Sequence, residues 1–142
     1  MMDGRLNLRR GTVMCVDDDP VFLRSISRLL TRRGYKVTAF SDADRALEAV
    51  AWLKPDVALV DIMMPGAGGL DLAEKIRERS QGQVEIVIVT GLDTDEAYYE
   101  GHQHGARFMV EKAETPQKVL DVVDYLAGDL DPAEREAIRA RI

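Results

Sequence analysis

Three consecutive aspartates, Asp17, Asp18 and Asp19, follow directly on the apolar run VMCV (13–16). Like charges this close repel by about 1 kcal/mol per pair in water, and by more where water is partly excluded. Such a cluster is either a solvated turn or the seat of a cation. Three other polar residues close apolar runs of the same kind: Asp61 in ALVDIMMPG, Thr90 in IVIVTG and Lys112 in FMVEKA. Brought to one place, they would supply carboxylates, one hydroxyl and one ammonium. The carboxylates suit a hard dication. Mg²⁺ typically takes one or two of them, keeps waters and completes its shell with phosphate oxygens. A metal and a lysine on two sides of a phosphoryl group would neutralise its oxygens, and a hydroxyl would donate to one of them. A carboxylate in the middle can be the nucleophile that forms an acyl phosphate, and Asp61, alone at the end of its run, is the best placed.

Five apolar runs must position these groups: VMCV (13–16), KVTAF (36–40), DVALV (56–60), EIVIV (85–89) and RFMV (107–110). Three of them are nearly unbroken and β-branched, as strands covered on both faces should be. Helical spacing lies between and after them. Phe22, Ile26, Leu29 and Leu30 share one face of a helix that ends before Gly34, and Ala46, Leu47, Val50 and Ala51 mark a second. Leu72, Ala73 and Ile76 mark a third, residues 93–104 a polar fourth, and Val119, Val122, Val123 and Leu126 a fifth. Strand and helix alternating five times imply one doubly wound α/β domain with a parallel sheet over residues 11–128. In such sheets the ligand site lies beyond the carboxyl ends of the strands, where the four chemistry-bearing segments fall.

Residues 1–10 form an N-terminal extension, charged but without the apolar core of a secretory signal. Residues 129–142 read as a C-terminal helix or the start of a linker, with Asp131 as cap, Pro132 at the first position and Ile138 and Ile142 on one face. Whether it extends the fifth helix, packs on the domain or pairs two chains stays open. The 142 residues carry a net charge of −6, which disfavours direct contact with nucleic acid. No run is long enough to span a membrane, so a cytoplasmic location is expected. The single cysteine, Cys15, reads as a small core residue. Asp19-Pro20 reads as a helix cap and first position. GAGG (66–69) lacks the spacing of a nucleotide loop and reads as a flexible turn into the third helix. His102 and His104 have no ligand set near them in sequence.

VDDDP, DIMMPG, VTG and EKA, in this order and each closing a strand, resemble the receiver domain of bacterial two-component response regulators over nearly all of residues 12–128. The resemblance implies the flavodoxin-like (βα)5 fold with strand order 2-1-3-4-5. It makes Asp61 the phosphorylated aspartate and Thr90 and Lys112 its partners. It implies Mg²⁺ held by Asp17, Asp18, Asp61 and the Met63 carbonyl. It further implies a histidine kinase or histidine-phosphotransfer protein as donor, and a downstream protein or output domain reading the 93–128 face. A homodimer is compatible with it, and catalysis would be confined to the chain's own phosphorylation and dephosphorylation.

Two residues depart from the family pattern. Met109 stands where a Tyr or Phe is usual, and the adjacent Phe108 should point to the opposite face. Ala113 follows Lys112 where a proline with a cis peptide is usual. A cis bond before alanine costs about 2.5–4 kcal/mol, so a rearranged or strained loop is expected. Two other readings share these residues. One is a receiver-like contact module that is never phosphorylated. The other is a haloacid-dehalogenase-type phosphatase with Asp17 as nucleophile and Asp19 as general acid, which would need a further acidic pair after the lysine.

Overall fold

The computed structural model describes residues 10–64, 68–91, 95–114 and 116–142; the side chains of residues 95–98 and 114 lie outside that description. Most of the N-terminal extension, Gly66 and Ala67 of GAGG, and the first residues of the 93–128 face therefore lie outside the described residues. Five strands, β1 (Thr12–Val16), β2 (Lys36–Phe40), β3 (Val57–Val60), β4 (Glu85–Thr90) and β5 (Ala106–Glu111), pair in parallel in the order 2-1-3-4-5. Helices α1 (Pro20–Arg32), α2 (Ala43–Leu53), α3 (Gly69–Arg79), α4 (Asp95–Gln103) and α5 (Gln117–Ala127) alternate with them, and α6 (Pro132–Arg139) follows. The five expected strands and five expected helices all form.

Alternation along each strand splits the interior into two cores. Met14, Val16, Ala58, Val60, Ile86 and Ile88 meet α2 and α3, whereas Val13, Cys15, Val57, Leu59, Val87 and Val89 meet α1 and α5. Both faces are covered, so the strand sequences are continuous apolar runs rather than alternating ones. Between Ile86 and Val87 of β4 the register skips Arg107, because Ile86 faces Ala106 and Val87 faces Phe108. This bulge turns Arg107 outward, where it pairs with Glu85 at 3.0 Å. Beyond it, Phe108 points into the α1/α5 side and Met109 into the other, the opposite facing expected from their spacing.

Local signals set the helix ends. Asp19 caps α1 by accepting from the amides of Val21 and Phe22, with Pro20 at the first position. After the cap residue Arg33, Gly34 takes φ +99° and reverses the chain into β2. At the amino edge of the sheet, Asp124 of α5 accepts from Arg10, Arg33 and the Tyr35 hydroxyl. Arg10 is thus tied to the body of the domain.

The tail, open in the sequence, folds as a separate helix against α5. Asp131 and Glu134 form a reciprocal capping box. Ile138 is buried, and Arg141 makes two bonds to the Asp121 carboxylate at 3.1 and 3.2 Å. The Arg135 guanidinium lies over the Tyr125 ring, 4.2 Å from its centroid, and donates to the Tyr125 carbonyl at 2.7 Å. Burial raises the Asp121 carboxyl pKa, but Arg141 and Gln117 outweigh it and leave the group below its ordinary range. No helix among the described residues is long and apolar enough to cross a membrane. Replacing Ile138 by Ala should cost about 2 kcal/mol of α6 docking, at the low end for a buried isoleucine. Hydrogen exchange should then quicken across residues 133–139 while the amides of β1, β3 and β4 keep their protection.

Candidate functional site

The ladder that builds the sheet continues one residue past its strands. The Asp61 amide donates to the Val16 carbonyl at 3.0 Å, and the Asp17 amide to the Phe40 carbonyl at 3.1 Å. Asp17 and Asp61 therefore leave β1 and β3 side by side. Each then folds back on its own backbone. Asp17 Oδ1 accepts from the Asp19 amide at 2.9 Å, and Asp61 Oδ1 from the Met63 amide at 3.0 Å. These turns aim the second oxygen of each carboxylate at Lys112. Its Nζ is 2.8 Å from Asp17 Oδ2 and 3.3 Å from Asp61 Oδ2. Lys112 leaves β5 in a 3₁₀ turn, Lys112–Glu114, which forms the loop where the usual proline is absent.

Thr90 is buried at the last position of β4, opposite Glu111 in the register and so at the same edge as Lys112. Asp18 is exposed, and the Met63 side chain is also turned to solvent. Oxygen atoms of Asp17, Asp18 and Asp61 all lie within 4.8 Å of one another. The structure thus gathers the predicted acids and lysine at one edge and leaves Asp19 as a helix cap.

Three carboxylates against one ammonium leave an excess of two negative charges in a partly buried place. Burial raises the Asp17 pKa first of all, and the nearby Asp61 charge adds to this; Lys112 and the Asp19 amide pull it back only in part. For Lys112, burial favours loss of the proton, but Asp17 and Asp61 together prevail and hold it as a firm ammonium. Asp17 Oδ2 is buried without a well-aligned hydrogen bond, its compensation being the charge of Lys112. A hard dication with oxygen ligands matches this donor set and charge excess.

Two neighbours of the site have contacts that their local sequence does not encode. Gly69, within the stretch read as a flexible turn, begins α3 directly against the Asp61–Ile62 backbone. A Cβ there would lie 2.0 Å from the Asp61 carbonyl oxygen and 2.6 Å from Ile62 Cα. Close backbone approach, not flexibility, demands glycine here. Phe22, which reads as a core residue, has its ring face toward Lys112, with Nζ 4.7 Å from the centroid. Met109 is buried against α4, where a Cβ on Gly101 would come 2.1 Å from its sulfur. Phe108 instead meets Tyr125 edge-on at 6.0 Å. His102 and His104 direct Nδ1 to the carbonyls of Ala106 and Glu100.

The family model of the response regulator receiver domain matches residues 13–124. Among curated relatives, the probable transcriptional regulatory protein TcrX of Mycobacterium tuberculosis is 31% identical over 109 residues, covering 77% of this chain and 46% of that protein. The DNA-binding transcriptional regulator NtrC of Escherichia coli K12 is 36% identical over 99 residues, or 70% of this chain and 21% of that protein. The chain thus spans less than half the length of these relatives. Among solved structures, the BeF3-activated N-terminal receiver domain of Klebsiella pneumoniae RstA is 34% identical with a TM-score of 0.72, covering 84% of this chain and 99% of that one. The Vibrio cholerae chemotaxis protein CheY4 is 26% identical with a TM-score of 0.77, covering 83% and 99%.

Two measurements check the local geometry. Gly69→Ala should destabilise the domain by about 1–3 kcal/mol, the usual range for overpacking, and shift the amide resonances of Asp61 and Ile62. Burial, reinforced by the Asp17 charge, pushes the Cys15 thiol up to about 12. Native protein should therefore resist iodoacetamide at pH 8, and alkylation at Cys15 should appear only on unfolding.

Proposed function

This chain belongs to the response regulator receiver family, and we propose that it is a phosphorylation switch in which Asp61 accepts a phosphoryl group from a phosphohistidine. The observation that carries the reading is the Lys112 ammonium held between the Asp17 and Asp61 carboxylates at 2.8 and 3.3 Å. The donor is a sensor histidine kinase or a histidine-phosphotransfer protein. An Asp61 carboxylate oxygen attacks phosphorus, the P–N bond breaks with its electron pair passing to the donor imidazole nitrogen, and the imidazole leaves neutral by taking a proton from water. Lys112 neutralises charge on the transferred oxygens, and the Thr90 hydroxyl donates to one of them.

Asp17, Asp18, Asp61 and the Met63 carbonyl would hold Mg²⁺, which offsets the remaining negative charge at the acceptor when bound. Hydrolysis of the acyl phosphate by water restores Asp61, so turnover is confined to the chain itself. The consequence is a changed affinity of the 93–128 face for a downstream protein or output domain, in the cytoplasm and without direct nucleic-acid contact by this chain. The outer part of α5 already carries α6, which confines that surface and any homodimer built on it.

Intact-mass measurement after incubation with acetyl phosphate and Mg²⁺ should show one phosphoryl adduct. Asp61→Asn should abolish it, and Lys112→Ala should slow its formation by about a hundredfold, the scale of losing one preorganised charge-stabilising donor. Chelation of divalent cations should suppress it. An adduct that persists in Asp61→Asn would overturn the assignment of the acceptor.

A further inference from the structure

We propose that Phe22 is a positioning residue for Lys112, holding the ammonium over the acceptor through the face of its ring; this rests on the reading that Lys112 serves the phosphoryl group. Lysine is a compact charge on a flexible four-carbon stem, so its head must be located by its surroundings. Asp17 and Asp61 attract it from the sheet side, at 2.8 and 3.3 Å. The Phe22 ring attracts it from another side, with Nζ 4.7 Å from the centroid, within the range where the ring quadrupole binds a cation.

A ring face attracts charge without offering a directional acceptor. The ammonium can therefore be held in place while its N–H groups stay available to oxygens. That distinction matters when the Asp61 carboxylate is converted to an acyl phosphate. One anchor of the lysine then changes, and the ring does not.

The position of the ring is itself built. Phe22 is the third residue of α1, and its amide is bonded at 3.3 Å to the Asp19 carboxylate that caps the helix, beside the Val21 amide at 3.0 Å. Asp19, Phe22 and Lys112 thus form a chain from helix cap to site. Phe22 also packs against the α1/α5 core, so the ring's electrostatic part must be separated from its volume.

The test uses the whole chain as Phe22→Leu and Phe22→Tyr. In the NMR spectrum the Lys112 Cε protons should be shifted upfield in the native protein and in Phe22→Tyr, and not in Phe22→Leu. With acetyl phosphate and Mg²⁺, the maximal rate of Phe22→Leu should fall about two- to fivefold, the worth of a partly exposed cation–ring contact, and Phe22→Tyr should recover it. The concentration of acetyl phosphate giving half that rate should stay put. Phe22→Met keeps the volume and takes the place of the leucine variant if that fails to fold. Equal rates in native protein and Phe22→Leu would overturn the proposal, as would a loss that Phe22→Tyr does not restore. A native protein that takes up no phosphoryl group would instead overturn the proposed function, and this inference with it.

Discussion

Two carboxylates, Asp17 and Asp61, emerge from neighbouring strands with one oxygen each aimed at a single ammonium. Placing charges where water is scarce is costly, and a mutual attraction repays the cost only if geometry is good and the spare oxygens are occupied. Here the spare oxygens are occupied by amides two residues ahead in the chain, those of Asp19 and Met63. The rest of the site follows from this arrangement. Lys112 must leave β5 at the height where β1 and β3 end, so the strands must be parallel and in register. The remaining negative excess then makes the place receptive to a dication.

The sheet meets that demand because both of its faces are buried. A strand whose alternate residues enter two different cores resists a one-residue slip, since a slip would exchange every side chain between them. β3, between β1 and β4, consequently holds Asp61 firmly in its register. The bulge at Arg107 is the exception, and it lies on β5 at the amino end, away from the acids. Gly69 backs the Asp61 loop, letting α3 start in contact with the Asp61 backbone.

Along β5, α4 and α5 this chain differs from the family pattern. Met109 rests on Gly101 where an aromatic ring is usual, so any rearrangement linking β5 to α4 works through a flexible thioether. α6 lies on α5, held by Ile138, Arg135 and Arg141. A partner approaching α5 meets this helix as well.

The unbroken runs VMCV, DVALV and EIVIV, the caps Asp19 and Asp131, and the acids and lysine closing the strands were enough to deduce the parallel α/β order and the composition of the site. These are local signals, because periodicity and capping depend on residues a few positions apart. The tertiary structure alone decided that α6 turns back onto α5, that glycine is needed at 69 for contact and not for flexibility, and that the Phe22 ring faces Lys112. Each depends on atoms far apart in the chain meeting at a few ångströms. No spacing within a segment encodes such a distance; the packing of the two cores sets it.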